Sequence, residues 1–444
     1  MIASLLRTAR IPFVRDVTTM QIGRLVTIGS SFIASILYVR FLGLGGYGEY
    51  AVVLAYTGTV GLFTNLGQQA TTLTFFAEAY GRKDREAQAR IFHYYLVTAG
   101  GAAGLLLLLM ALSPILTTWI YGRSIVGLLA GLVFLSSVFE IPFIFVSIVL
   151  QTVREIRMLT LLENAKTLLQ IIVAVGLLAS GVGVVGLLLS SLIASVCFSA
   201  VGIGLYAHLK SKYGLPSIPD ALAAGRSTHF WRYMKDGFWI AVDKSLGNLY
   251  PNIFLFVFST QVSAAVIGLL RLGMKLAELP SSFVLSGISR LASSAVPVMI
   301  GKGKTALRAS LVKLIKHTAA LHFGVSLAGA LIVPPLLPFV YGEHFQPAVY
   351  PFLVLITLNL FLAFHAIATP ILRISSQIHI AAYLNFVAIV VGVGLLLGLQ
   401  EVMRPTLALY IALAAYHVII ALTFIPVVKT LRRATLQQGS NPLH

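Results

Sequence analysis

Apolar residues along this chain fall into long runs, each of about twenty residues, which is enough to cross a hydrocarbon core as helix. The first six lie near 17–40, 47–75, 91–118, 124–150, 158–180 and 182–207. Six more follow near 237–260, 263–298, 318–341, 348–371, 378–399 and 405–428. The pattern predicts an all-α polytopic membrane protein with twelve transmembrane helices. The polar stretches between the runs are short, with "GRKDREAQAR" at 81–90 and "GKGKTALRASLVKLIK" at 301–316 the most charged.

Composition sharpens this reading. Hydrophobic residues make up 58% of the 444 positions and charged residues 10%, against roughly a quarter charged in a soluble domain. The formal net charge of +18 would suggest nucleic acid in a soluble chain, but here its placement decides. Cytoplasmic loops retain Lys and Arg, and with both ends inside, 23 of the 32 lie in inner segments while the outer loops hold Arg40, Arg123 and Arg404. The expectation is therefore a multi-pass protein of a plasma membrane, both termini cytoplasmic, with membrane lipids and no nucleic acid as partners. The first twenty residues, with Arg7, Arg10, Arg15 and Asp16, lack the apolar core of a cleavable signal. The single cysteine, Cys197, lies in an apolar run and argues against disulfides or a cysteine metal site.

The chain also repeats itself. "FVRD" at 13–16 is answered by "YMKD" at 233–236, and eight residues after each Asp comes a cation, Arg24 and Lys244. The same shift of 220 takes Gly81-Arg82 to Gly301-Lys302 and Tyr121-Gly122 to Tyr341-Gly342, with looser echoes from Arg154 to Arg373 and Asn164 to Asn385. Two halves of six spans each enter the membrane in the same direction, as parallel repeats do. The boundaries read as an N-terminal lobe 1–207, a cytoplasmic linker 208–236, a C-terminal lobe 237–432 and a tail 433–444. Two such pseudo-symmetric lobes would face each other across a central cavity.

At this point a resemblance enters. "RFLGLGGYGEYAVV" at 40–53, "YGRKD" after the second span, and "YG" after spans three and nine resemble the Wzx-type polysaccharide and O-antigen flippases. These belong to the multidrug/oligosaccharidyl-lipid/polysaccharide (MOP) exporter superfamily, whose fold is the MATE-like pair of six-helix lobes. The resemblance implies a flippase moving undecaprenyl-pyrophosphate-linked oligosaccharide across a bacterial inner membrane by alternating access, coupled to H+ or Na+. It also implies company with polysaccharide polymerase and glycosyltransferase machinery, and a monomer.

Six cations remain within the spans: Arg24, Lys166, Lys244, Arg271, Lys275 and Arg290. A charge near the bilayer centre costs about 2.5–3.5 kcal/mol on insertion scales, so it normally faces a cavity or a partner. At 100° per residue, Arg271, Lys275 and Glu278 share one helix face. Arg24 and Lys244 hold matching places in the two halves, and Asp243 lies beside Lys244. The candidate site is thus four cations, Arg24, Lys244, Arg271 and Lys275, with Asp243 and Glu278 as charge partners or ion-coupling groups. A pyrophosphate suits it, since an Arg fork matches phosphate oxygens and Lys acts as a point charge. A local Lys275/Glu278 ion pair is the competing reading.

Other polar residues rank lower. Glu163 and Lys166 are expected to pair within one helix, Glu140 to sit at a Pro142 kink, and His365 and His417 to be hydrogen-bonded packing. Asn65, Gln68 and Gln69 break span two, Arg290 approaches a span end, and Pro251, Pro280, Pro297 and Gly287 are expected to interrupt spans seven and eight. Trp119 and Trp239 read as interface anchors. With no nucleotide-binding loop or Cys/His ligand spacing, the sequence calls for no cofactor, no metal and no enzyme. The alternatives are a MATE-type multidrug or cation antiporter, for which the cavity should be acidic, and a membrane enzyme of polysaccharide assembly.

Overall fold

A computed structural model describes residues 12–64, 68–227, 230–300, 304–374 and 377–429. Arg7, Arg10, Asn65 and the tail 433–444 lie outside the described residues, and so does the side chain of Arg290. The described chain is helical, with no strand. In order the helices are α1 (Pro12–Val60), α2 (Gln68–Gly81), α3 (Arg85–Tyr121), α4 (Ile125–Thr152), α5 (Ile156–Ala179), α6 (Gly183–Tyr213) and α7 (Ile218–Ala223). Then come α8 (Phe230–Ser259), α9 (Ala264–Ile300), α10 (Lys304–Tyr341), α11 (Val349–Leu358), α12 (Leu362–Ile374), α13 (Ile378–Leu399) and α14 (Pro405–Ala421).

Among the described residues nine helical stretches are long and apolar enough to cross a membrane, which makes this a multi-pass membrane protein. The first, Ile22–Val60, is 39 residues long and breaks at Gly43, whose φ of 63° and ψ of −175° lie outside the helical region. That is the turn expected within 40–53. Within α9, every 18-residue stretch of 264–285 holds Arg271, Lys275 and Glu278.

Contacts divide the chain into two units, residues 1–241 and 242–444. In the first, α4 packs against α3 and α6, and α1 against α5. Apolar burial drives little association within lipid, so close packing and polar bridges do the holding. Thr27 donates to Asn164 Oδ1 at 2.7 Å, joining α1 to α5, and Tyr56 donates to Ser113 at 3.0 Å, joining α1 to α3. At one end Phe92 stacks on Phe145 with centroids 4.3 Å apart. Phe76, Tyr95 and Tyr206 crowd the same ring.

The segment read from the sequence as the linker, 208–236, packs against this unit. α6 stays helical through Tyr213, and the capping box of Ser217 and Asp220 starts α7. α7 packs on α3, where Arg85 reaches Asp220 at 3.4 Å. Tyr233 then seats between Phe75 and Tyr94, at 5.1 and 5.5 Å. Aromatic residues in 206–233 therefore fasten a stretch whose composition reads as loop.

In the second unit α9 packs against α10, α11 and α12, and α13 against α14. The repeat has a structural counterpart here. Thr27 meets Asn164 in the first unit; 220 residues on, Gly247 approaches Asn385, whose Nδ2 lies 4.0 Å from where a Cβ at Gly247 would stand. Gly122 and Gly342, the paired glycines of "YG", both have positive φ, 67° and 102°.

Two expectations need correction. α8 runs helically through Pro251 and α9 through Pro280; the irregular points are Gly43 and the 3-10 turns Gly61–Thr64 and Asn359–Phe361. Lys166 pairs with Glu140 of α4, not with Glu163, and it also lies 5.2 Å from the Phe143 ring centre. Glu140 is thus an ion-pair partner across two helices. Trp119 is 89% exposed, Trp231 77% and Trp239 46%.

Candidate functional site

One stretch of α9 is covered: Leu270, Leu272, Met274, Leu276 and Ala277 are all buried. Its fit against α11 is close. A Cβ at Gly273 would stand 2.9 Å from Phe352 N and 3.1 Å from Pro351 Cβ, a contact with backbone that only glycine permits. This packing fixes the rotation of α9, and with it the side that Arg271, Lys275 and Glu278 present. Arg271 and Lys275 are half-buried, and Glu278 is exposed.

The three charges act on one another electrostatically, as one-face spacing requires. Yet neither Arg271 nor Glu278 forms an ion pair or hydrogen bond with a described residue. The local Lys275/Glu278 pair is therefore not made. A charge at membrane depth faces a cavity or a partner, and the electrostatic neighbours of Arg271 among the described residues are Lys275 and Glu278.

Lys244 is exposed on α8, and its neighbour Asp243 is 6% exposed. Asp243 interacts electrostatically with Tyr416 of α14, and Glu278 with Tyr250 of α8. Tyr250 and Tyr416 stack at 3.9 Å with planes 6° apart. Asp243, Arg271, Lys275 and Glu278, four of the six expected site residues, thus belong to one polar region of the second unit, and Lys244 adjoins it in sequence. Arg24 is half-buried on α1 of the first unit, one residue after Gly23, which abuts Thr160 of α5.

Behind the charged face lies a network that sequence reasoning missed. Tyr250 Oη is 3.2 Å from His417 Nε2, and Tyr416 donates to Asn385 Oδ1 at 3.2 Å. His417 Nδ1 lies 2.7 Å from Leu413 O, and its Nε2 3.3 Å from Asn359 Oδ1. Asn359 Nδ2 donates to Ala277 O at 2.8 Å, the carbonyl just before Glu278. Intramembrane polar residues were visible one at a time; their convergence was not. Among the described residues no group of His, Cys, Asp and Glu could hold a metal ion.

Chemically, the region offers a guanidinium and ammonium groups in excess over carboxylates, on a helix whose other side is sealed. That arrangement holds an anion with several oxygens better than a cation.

Comparison with known proteins adds three findings. The sequence profile of a family described as polysaccharide biosynthesis protein matches residues 13–302. No match to a curated protein sequence was found. Solved structures match along almost the whole chain. An outward-facing multidrug resistance MATE family transporter of the MOP superfamily has a TM-score of 0.69 at 14% identity, covering 95% of this chain and 96% of that one. The eukaryotic MATE transporter AtDTX14 has 0.63 at 18%, covering 96% and 99%. A MOP superfamily transporter from Pyrococcus furiosus Vc1 (DSM3638), described by the reverse polarity of its binding pocket, has 0.65 at 15%, covering 95% and 96%. At such identities the likeness is one of fold, and this chain has the helical fold of the MATE transporters.

Proposed function

Because the chain belongs to the polysaccharide biosynthesis protein family, we propose that it is a Wzx-type flippase. It moves an undecaprenyl-pyrophosphate-linked oligosaccharide from the cytoplasmic to the periplasmic leaflet of a bacterial inner membrane. In this reading the chain crosses twelve times with both termini inside, as two six-helix halves, 1–207 and 237–432, joined through 208–236. α1 supplies two crossings about Gly43, and α8 and α9 supply two more beside the nine apolar stretches.

The observation that carries the proposal is Arg271, half-buried on α9 beside Lys275, with Glu278 the one carboxylate acting on both among the described residues. Lys244 and Arg24 add to the positive excess, and Asp243 and Glu278 temper it. A pyrophosphate diester carries negative charge on oxygens that an arginine fork matches. Alternating access through a central cavity, driven by an ion gradient, completes the cycle, with the glycan supplied by transferases and taken up by a polymerase.

The rival reading, export of cationic drugs, has the fold of the MATE neighbours in its favour. The balance of charge on α8 and α9 opposes it. The pocket polarity named for the Pyrococcus protein illustrates that the fold accommodates pockets of differing sign.

The test is transfer of a fluorescent undecaprenyl-pyrophosphate oligosaccharide between leaflets of vesicles containing the protein. Wild type accelerates it over empty vesicles. Arg271→Ala and Lys244→Ala lower the rate by about tenfold or more, as expected when a charge-assisted bond worth about 1.5–3 kcal/mol is lost. Both alanine variants transporting at the wild-type rate, or a wild type that exports a cationic dye and ignores the lipid, would overturn the proposal.

A further inference from the structure

The network behind α9 assigns His417 a role that buried packing alone does not explain. Its ring is 0% exposed and fixed on both sides. Leu413 O, a backbone carbonyl, can only accept, so Nδ1 carries a hydrogen. Ala277 O likewise only accepts, which orients the Asn359 amide with Nδ2 toward it and Oδ1 toward His417 Nε2. Both ring nitrogens therefore face acceptor oxygens. A neutral ring satisfies one of them and sets its Nε2 lone pair against Asn359 Oδ1. The doubly protonated ring satisfies both.

The third neighbour of Nε2 is Tyr250 Oη, at 3.2 Å, which can donate to a neutral ring or accept from a charged one. Tyr250 is half-buried and interacts electrostatically with Glu278, which is exposed. Residue by residue, exposure falls from Glu278 to Tyr250 to His417. The groups facing His417 are Tyr250 from α8, Asn359 from the 3-10 turn, and Tyr416 on α14. Behind these stand Asp243, which interacts with Tyr416, and Arg271 and Lys275, which interact with Glu278.

We infer that His417 is a proton-binding site of the second unit, filled through Tyr250 and held by Leu413 O and Asn359 Oδ1. The proton enters from the side of Glu278 and binds the Nε2 lone pair. Tyr250 then stops donating to Nε2, and its hydroxyl hydrogen is free to turn toward another acceptor. Asn359 gains a donor on Oδ1 while keeping its bond to Ala277 O. Proton binding thereby tightens the bridge from α14 to the turn of α9 that carries Glu278. This names the proton as coupling ion and so rests on the transport reading for its use, although proton binding itself can be measured without transport.

The experiment uses full-length protein with 15N-labelled histidine in phosphatidylethanolamine and phosphatidylglycerol bilayers. The His417 resonances are assigned by their loss in His417→Gln. They are expected to pass from the neutral to the imidazolium pattern as pH falls. Asn359→Leu, which removes one acceptor, is expected to lower the midpoint by about one pH unit, a tenfold loss of proton affinity. Tyr250→Phe keeps the ring stack on Tyr416, removes the hydroxyl and shifts the midpoint as well, so it serves where either other variant fails to insert. A His417 that stays neutral over the whole range in which the protein remains folded, or a midpoint indifferent to both substitutions, overturns the inference. A second arm imposes a tenfold proton gradient across vesicles containing the fluorescent lipid-linked oligosaccharide, with stimulation expected in wild type and none in His417→Gln. Transport by a protein whose His417 does not titrate refutes the proton site and leaves the flippase reading standing. A titrating His417 in a protein that moves no lipid-linked pyrophosphate does the reverse.

Discussion

Lys166 of α5 is paired with Glu140 of α4, across two helices, while Glu163 on its own helix does not hold it. The lysine side chain is 14% exposed and the carboxylate 38%, so the pair is partly screened. Removing one partner leaves a charge to be solvated at membrane depth, whereas removing both does not. Lys166→Met is expected to destabilise the protein by about 1–3 kcal/mol, discounted from the fully buried case for the exposure of Glu140. Adding Glu140→Gln should restore most of it. Thermal unfolding in detergent measures both. Retained lipid transfer in the double variant would fit a fastening role; its loss would show that the pair also serves transport.

Arg271→Lys separates charge from geometry. The ammonium keeps the positive charge but not the fork. The expected outcome is partial transfer, between the wild type and Arg271→Ala, with the loss in KM for the lipid-linked substrate exceeding that in kcat. Equal activity of the lysine and alanine variants would show that bidentate contact is not used.

Gly273→Ala adds a methyl group 2.9 Å from Phe352 N. Neither partner is a flexible side-chain end, so α9 and α11 must separate or rotate. Overpacking of this kind costs about 1–3 kcal/mol. A lower melting temperature together with reduced transfer is expected, because the same rotation re-aims Arg271 and Lys275. An unchanged melting temperature would mean that the helices adjust freely.

Glu155 gives a pH test outside the membrane spans. Lys212 Nζ donates to its Oε1 at 2.8 Å and Tyr213 donates to the same atom; these bonds hold the carboxyl below the usual glutamate range. A folded-state value below the unfolded one means that the contribution is complete above the ordinary carboxylate range and is lost as pH falls through the depressed value. Unfolding followed from neutral to acid pH should therefore fall more steeply in wild type than in Glu155→Gln. Parallel curves would remove Glu155 from the account.

The parts of this architecture that show in the sequence are those where one residue contradicts its neighbours. Arg271, Lys275 and Glu278 stand out because each is a charge within an apolar run, and helical spacing places them on one face. The turn at Gly43 shows because a glycine cluster interrupts two spans. Lys166 illustrates the limit: Glu163 lies three residues away and Glu140 a helix away, and spacing along one helix sees only the first. The group of Tyr250, Asn359, Tyr416 and His417 is drawn from three distant stretches, and each member alone is ordinary for a span. Pro251 and Pro280 misled because a helix in lipid can continue past a proline when neighbouring groups satisfy the carbonyl it frees. The irregular turn at Asn359 carries no glycine or proline of its own, and its side chain bonds to Ala277 instead.

All three tryptophans, Trp119, Trp231 and Trp239, lie at the protein surface. Intrinsic fluorescence from this protein will consequently report solvent and acyl-chain surroundings rather than core packing. Brominated lipids should quench it in the folded state, and an emission shift on adding a glycan substrate would record a change in wetting at these rings, not the loosening of a hydrophobic interior.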